Sequence, residues 1–279
     1  MWNPRIPTSE LARRIRVHCV KMTGRANASH IGSALSTADI LAVLYGKFLR
    51  FDPKQPDWPE RDRFILSKGH ACTGLYAVLA ETGFLSVEDL ETFYQNGSPL
   101  AGHATHKGVP GVEISSGSLG HGLPMSTGMA LAAKRDRADR RIYCMLSDGE
   151  CDEGSVWEAA LFAPHHKLEN LVVIVDYNKI QSFGRVEDVI DLKPLPEKWQ
   201  AFGWGVREID GHDHEAIEAA FAAVPFVSGK PSCIVANTVK GKGISFMEDK
   251  LAWHYRAPRG ELMDQALAEL VPDHDPERP

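Results

Sequence analysis

The 279-residue sequence contains no apolar run close to the roughly 20 residues that a membrane helix requires, so no membrane span is expected. Basic residues are in the minority, 31 Lys and Arg against 37 Asp and Glu, for a net charge of -6. With no Lys/Arg stripe either, no nucleic-acid partner is expected. Cysteine is sparse and odd in number: Cys19, Cys72, Cys144, Cys151 and Cys233, with no Cys-x-x-Cys spacing. That pattern does not support a disulfide framework and points to a reduced, cytoplasmic compartment. The first residues, Met-Trp-Asn-Pro-Arg, are polar and lack the apolar centre of a secretory signal. Neither a G-x-G-x-x-G turn nor a P-loop is present, which argues against an unrelated nucleotide-binding α/β domain.

What is present describes an ordinary soluble globular chain, 43% hydrophobic and 24% charged, long enough to bury a large core. No repeat or low-complexity block divides it. One domain over 1–271 is expected, followed by a flexible tail, PDHDPERP, at 272–279. Leu11, Ile15, Val17 and Val20 fall at helical spacing after a Thr8/Ser9 cap, which predicts a helix over 8–23. Further helices are expected over 36–49, 71–83, up to about Lys134, over 153–163 and over 213–223. Short apolar runs predict strands at 63–67, 141–146, 171–176, 206–210 and 232–237. The segment 51–62 holds three prolines and reads as a surface connection. Glycine is dense from 97 to 128, which suits ligand-facing turns better than a core helix. Strands apolar on both faces and alternating with helices define the fold class: α/β, a parallel sheet with helices on both faces. Ligands of such sheets bind beyond the carboxyl ends of the strands.

The segment 142–181 is the richest. Two buried strands end in oxygen-bearing residues, Asp148 after the first and Asn178 after the second, so both can meet at one sheet edge. A carboxylate, an amide and a nearby backbone carbonyl make a hard oxygen set suited to magnesium or calcium, with a diphosphate completing the shell. Gly149 allows close approach of the backbone to that ligand. The helix from Glu153 turns its positive end towards the anion. Asp-Gly after a strand is by itself often only a turn, and an Asn often only a cap.

Histidine is abundant, 12 in all, and four sit in suggestive settings: His30 in ASHIGSALSTADIL, His70 in LSKGHA, His103 in LAGHAT and His254 in LAWHYRAP. Any single one is more often structural. Together they offer neutral imidazoles for proton transfer near pH 7, or imidazoliums for phosphate.

These segments resemble transketolase nearly along the whole chain. H-I-G-x-x-L-S-x-x-D-I-L-x-x-L-Y spans 30–45, S-x-G-H-A spans 67–71 and P-G-V-E-x-x-x-G-x-L-G-x-G spans 110–122. Gly102-His103, V-K-G-K-G at 239–243 and Trp253-His254 complete the set. The opening motif is similar to stand-alone amino-terminal transketolase subunits. The metal motif resembles the Gly-Asp-Gly…Asn signature of thiamine diphosphate enzymes, with Ser147 in place of the first glycine. The resemblance implies the thiamin-diphosphate-binding fold, with thiamine diphosphate and Mg2+ (Ca2+ or Mn2+ as substitutes) as cofactors. By it, Asp148, Asn178 and the Ile180 carbonyl hold the ion, and His70 and His254 contact the diphosphate. The Gly117 carbonyl accepts from the aminopyrimidine, with Leu119 packed beside it. His30 and His103 face the sugar and carry catalysis. Glu153 sits at the interface, where Glu158 joins a carboxylate network. His121 stands where the family commonly has glutamine, and His106, His165 and His166 match nothing.

The family's cofactor-activating carboxylic acid lies on a second, pyrimidine-binding domain, for which the sequence has no room. The expected partner is therefore a carboxyl-terminal transketolase subunit, in a two-plus-two heterotetramer acting on sugars or sugar phosphates. The implied reaction is transfer of a two-carbon ketol unit from a ketose to an aldose. The alternatives are a deoxyxylulose-phosphate synthase-like or 2-oxoacid dehydrogenase-like component, or a non-catalytic cofactor-binding paralogue.

Overall fold

The computed structural model describes residues 6–271. Five parallel strands, β1 (Arg63–Leu66), β2 (Ile142–Ser147), β3 (Leu171–Tyr177), β4 (Gly205–Asp210) and β5 (Ser232–Asn237), form one sheet in the order β1-β2-β3-β5-β4. β2 and β3 are buried along their whole length, as a sheet covered on both faces requires. Alternate residues enter opposite layers, following the period of two along a strand. Tyr143, Met145, Val172 and Ile174 pack into the layer that includes the helices Thr8–Ala26, Cys72–Glu81 and His214–Ala222. Ile142, Cys144, Leu146, Val173 and Val175 pack against Gly122–Arg135, Gly154–His165 and Leu195–Ala201. β4 is an edge strand and is largely exposed. No helix of the described residues is long and apolar enough to cross a membrane.

The parallel sheet and its alternation with helices match the sequence reading, and three local expectations require correction. The helix expected over 36–49 is instead Ile31–Leu35, then Ala38–Val43, then a π-helical turn Leu44–Phe48. The break has a local cause. Ser36 Oγ donates to the Ser33 carbonyl at 3.1 Å and Thr37 Oγ1 to that of Ala34 at 2.8 Å, so side chains compete for backbone acceptors. The connection 51–62 is not all surface, because Asp62 is buried and accepts from the Arg50 and Arg141 amides at 2.9 and 2.8 Å. The glycine-dense stretch does not stay irregular to residue 128, since a helix begins at Gly122. Val186–Val189, Leu195–Ala201 and Glu261–Leu270 are helices that the sequence reading passed over. The expected tail 272–279 lies outside the described residues.

Gly122 explains how that helix starts so close to β1. A Cβ there would lie 2.2 Å from Ser67 Oγ, far inside contact distance. Exchange of glycine for alanine inside a helix ordinarily stabilises by about 1 kcal/mol. Here the clash reverses the sign. Gly122→Ala should lower stability by roughly 1–3 kcal/mol in urea denaturation; an equal or higher midpoint would show that this contact is slack.

Candidate active site

The chain leaves β1, β2, β3 and β5 at the same edge of the sheet, and a cavity of about 390 Å³ opens there. Asp148, the residue after β2, and Asn178, the residue after β3, both line it, as do Gly149 and Ile180. The two turns are tied together, because the Lys179 amide donates to Asp148 Oδ2 at 2.6 Å. The Gly149 amide donates to Asp148 Oδ1 at 2.8 Å. Burial, and then the charge of Asp176, push the Asp148 carboxyl up to about 6, against the Gly149 amide and the Lys240 ammonium. A carboxylate so placed gains from a neighbouring cation.

Asn178 is oriented by Asp176, the penultimate residue of β3. Its Nδ2 donates to Asp176 Oδ2 at 3.1 Å, while its Oδ1 accepts from the Ile180 amide at 3.2 Å. Asp176 is fully buried, ion-paired with the equally buried Lys68, and also accepts from Ser36 Oγ at 2.7 Å and from Thr238 Oγ1. Burial alone would raise its carboxyl, but Lys68 and these hydroxyls outweigh burial and hold it low.

All four singled-out histidines meet at this cavity. The His30 ring centroid is 5.2 Å from that of His70, 5.8 Å from His103 and 4.9 Å from His254. His30 has a left-handed backbone, φ 73°, and its amide donates to the His254 carbonyl at 2.8 Å. That conformation is uncommon outside glycine, with asparagine, aspartate and histidine the side chains that adopt it most readily, and it is held by the surrounding packing. His30 Nδ1 is buried without a partner. Burial, then His103, Lys240 and Lys68, press the His30 imidazole down to about 4. Burial and Lys240 press His254 down to about 3, and burial and Lys68 hold His70 well below its ordinary value. These three rings are neutral at pH 7.

Lys240 was not foreseen and is almost fully buried. Its Nζ donates to the Ile180 carbonyl at 2.7 Å and to His254 Nδ1 at 2.9 Å. Burial brings its ammonium down to about 8 while Asp148 supports the charge. Because an ammonium can only donate, His254 Nδ1 is the acceptor and its hydrogen sits on Nε2.

The glycine turn supplies the opposite wall. Gly117 has φ 138°, and a Cβ on it would lie 2.7 Å from the His103 ring, so both conformation and space demand glycine. Leu119 lines the cavity, and the Gly120 amide is pinned by buried Glu150 Oε1 at 2.9 Å. His121 is exposed and its Nδ1 bonds to the Leu119 carbonyl at 3.1 Å, outside the cavity. Glu153, also exposed, stands on the cavity rim before the helix Gly154–His165. Glu158 is not brought into the cavity. It projects from the outer face of that helix, where Leu161 and Phe162 are exposed too. A larger hollow of about 540 Å³, lined by Tyr177, Lys193, Leu195 and Asn237, contains none of the four histidines.

Among the described residues no three His, Cys, Asp or Glu side chains gather as metal ligands. The candidate set contains one acid, one amide and one carbonyl, and each oxygen makes a protein hydrogen bond with a lone pair to spare. Gly149 completes a cradle: a Cβ there would press on Gln181 Cγ at 3.1 Å and narrow the space. Hard oxygens, a glycine cradle and neutral imidazoles fit a divalent ion carrying a polyanion.

These features define an α/β domain with a cofactor-sized cavity across four strand ends. A family model described as transketolase, thiamine diphosphate binding domain, matches residues 8–268. The 6-deoxy-6-sulfo-D-fructose transketolase subunit of a Clostridium species is 42% identical over 97% of this chain and 98% of its own length. An apulose-4-phosphate transketolase subunit of Phocaeicola vulgatus is 41% identical over 95% and 94%. The crystal structure of Campylobacter jejuni transketolase superposes with TM-score 0.89 at 36% identity, covering 94% of this chain and 42% of that one. The chain belongs to the transketolase family and corresponds to its amino-terminal, thiamine diphosphate-binding subunit. Ketol transfer is the family's chemistry, and this chain is the cofactor-binding part of that enzyme.

Two consequences are measurable. A histidine with a depressed pKa adds stability that is complete above its unfolded value, about 6.5, and is lost as pH falls towards the folded value. Stability should therefore fall between pH 6.5 and about 4, by roughly 1–2 kcal/mol for His30 after allowance for solvent screening. Melting curves of His30→Asn should be flatter over this range, and parallel curves would contradict the assignment. Lys68→Met strands the Asp176 charge and should cost about 3–5 kcal/mol in denaturant unfolding; a loss below 1 kcal/mol would mean that the pair is dispensable.

Proposed function

We propose that the cavity holds thiamine diphosphate through a divalent ion, Mg2+ before Ca2+ or Mn2+, bound by Asp148, Asn178 and the Ile180 carbonyl. The single observation that carries this reading is the gathering of His30, His70, His103 and His254 over the joined Asp148 and Asn178 turns. The bound cofactor supplies the carbanion chemistry that breaks and remakes the bond next to a ketose carbonyl. The residues of this chain bind and orient around it. His254 Nε2–H and His70 face the diphosphate, and Gly149 lets the backbone come close. The Gly117 carbonyl accepts from the aminopyrimidine, and Leu119 packs beside it. His30, neutral and with a spare Nδ1, and His103, exposed at the cavity mouth, hold the sugar hydroxyls and move protons there.

The carboxylic acid that activates the cofactor comes from a second chain carrying the pyrimidine-binding domain, in a two-plus-two assembly. Glu153, Glu158 and the exposed Leu161 and Phe162 form the face where that assembly closes. The substrate class is a ketose with an anionic end as donor and an aldose as acceptor. A reducing cytoplasm suits the five cysteines, all free and buried.

Asp148→Ala should fold normally and lose magnesium-dependent binding of thiamine diphosphate by at least about 100-fold, read by calorimetry. Unchanged binding removes the metal assignment. His103→Ala should keep the cofactor and lose about 10²–10⁴ in turnover once the partner chain is added. The unmixed wild-type chain should show no ketol transfer; activity without a partner overturns the two-chain reading.

A further inference from the structure

Lys240 reaches the cavity from the turn 239–242, and that turn is gripped at both ends by a polar knot outside the cavity. The Val239 amide donates to His212 Nε2 at 2.8 Å. At the other end Arg16 Nε donates to the Lys242 carbonyl at 3.1 Å. Both gripping side chains converge on Asp39, which is 5% exposed. Its carboxylate accepts from His212 Nδ1 at 2.7 Å, from Arg16 Nη1 at 3.1 Å and from His214 Nε2 at 3.1 Å. Between the ends, the Gly241 amide donates to the Gly32 carbonyl at 3.0 Å, two residues beyond His30.

Donor identity fixes the hydrogens. A backbone amide can only donate, so His212 Nε2 must accept, and its single hydrogen lies on Nδ1, given to Asp39. The same logic, applied through the Lys240 ammonium, leaves the hydrogen of His254 on Nε2. Two tautomers of opposite sense are thus joined through one turn. A role limited to fastening the helix Thr8–Ala26 would need only the Arg16–Asp39 pair. It would not require His212 to take the Val239 amide.

We infer that Asp39, Arg16 and His212 are positioning residues that hold the 239–242 turn so that Lys240 fixes the tautomer of His254 in the cavity. None of the three touches the cavity; they act through Lys240. The inference rests on the thiamine diphosphate reading of the site.

The test has two arms on the full-length chain. In 15N NMR of histidine-labelled wild type near pH 7.5, His212 should carry its hydrogen on Nδ1 and His254 on Nε2. His212 with its hydrogen on Nε2 overturns the inference, whether or not any variant folds. In calorimetry with magnesium, His212→Leu should weaken both thiamine diphosphate and inorganic pyrophosphate about tenfold. His212→Gln, whose Oε1 can still accept from Val239, should stay within about threefold of wild type. In a Lys240→Met background, His212→Leu should add less than about twofold, because the two act in series. Wild-type affinity in His212→Leu, or a full tenfold loss on top of Lys240→Met, refutes the positioning role. Wild type that binds neither ligand sinks the thiamine diphosphate reading instead, and the tautomers still decide this one.

Discussion

The Asp176 carboxylate is the constraint on which the rest of this architecture hangs. It sits at the end of β3, the middle strand of the sheet, fully buried. It collects Lys68 from beyond β1, Ser36 from the helical layer, Thr238 from beyond β5 and Asn178 from its own strand end. A buried carboxylate without partners would neutralise itself or unfold the region. With four donors it becomes a fixed reference point, and three strand ends and a helix take their mutual positions from it. The amide of Asn178 is aimed by this anchor before any ligand arrives, which is how a rigid scaffold reduces the ordering that binding must otherwise supply.

Much of this was legible in the sequence because it follows local periodicity. Asp148 and Asn178 stand out as oxygen-bearing residues that follow mainly apolar strands, and the strand pattern places them on one edge. Of the four histidines, His30, His70 and His103 were legible through small and glycine residues close by, and His254 through the Trp253-His254 pair of the resemblance. Lys68 and Lys240 were not, although each lies inside a quoted motif. Lysine is ordinarily solvated, so a sequence gives no reason to bury one until the anion that accepts it is placed. The Asp39–His212 contact bridges 173 residues, and no local pattern encodes such a pairing. The broken helix after His30 was hidden for a related reason. Ser36 and Thr37 are tolerable in a helix by propensity, and only their back-bonding reveals the break.

Glu158 shows the opposite case. It was singled out by resemblance, and the structure places it outside the cavity, exposed on the helix Gly154–His165, where the proposed second chain would approach. Exposed Leu161 and Phe162 on the same helix point the same way. A residue without a local partner can belong to a site that one chain does not complete. Glu153 lies between the two situations, on the cavity rim and exposed.

The charges lining the cavity bear on how its ligands load. Asp148, Asp152 and Glu153 face one ammonium, Lys240, and His30, His70 and His254 are neutral at pH 7. A diphosphate entering such a cavity alone would meet more negative than positive charge in a low-dielectric space, where each unbalanced interaction is strengthened. A divalent ion entering alone would find one carboxylate and two neutral oxygens, too few to replace its hydration shell. On the proposed reading each ligand would remove the other's penalty, and their binding would be coupled by linkage rather than merely concurrent. The depressed histidines strengthen this coupling, because rings that stay neutral cannot substitute for the missing cation. On the proposed reading the metal adds to Lys240 the positive charge that balances the anion, and the oxygen set beyond β2 and β3 is where it would be held.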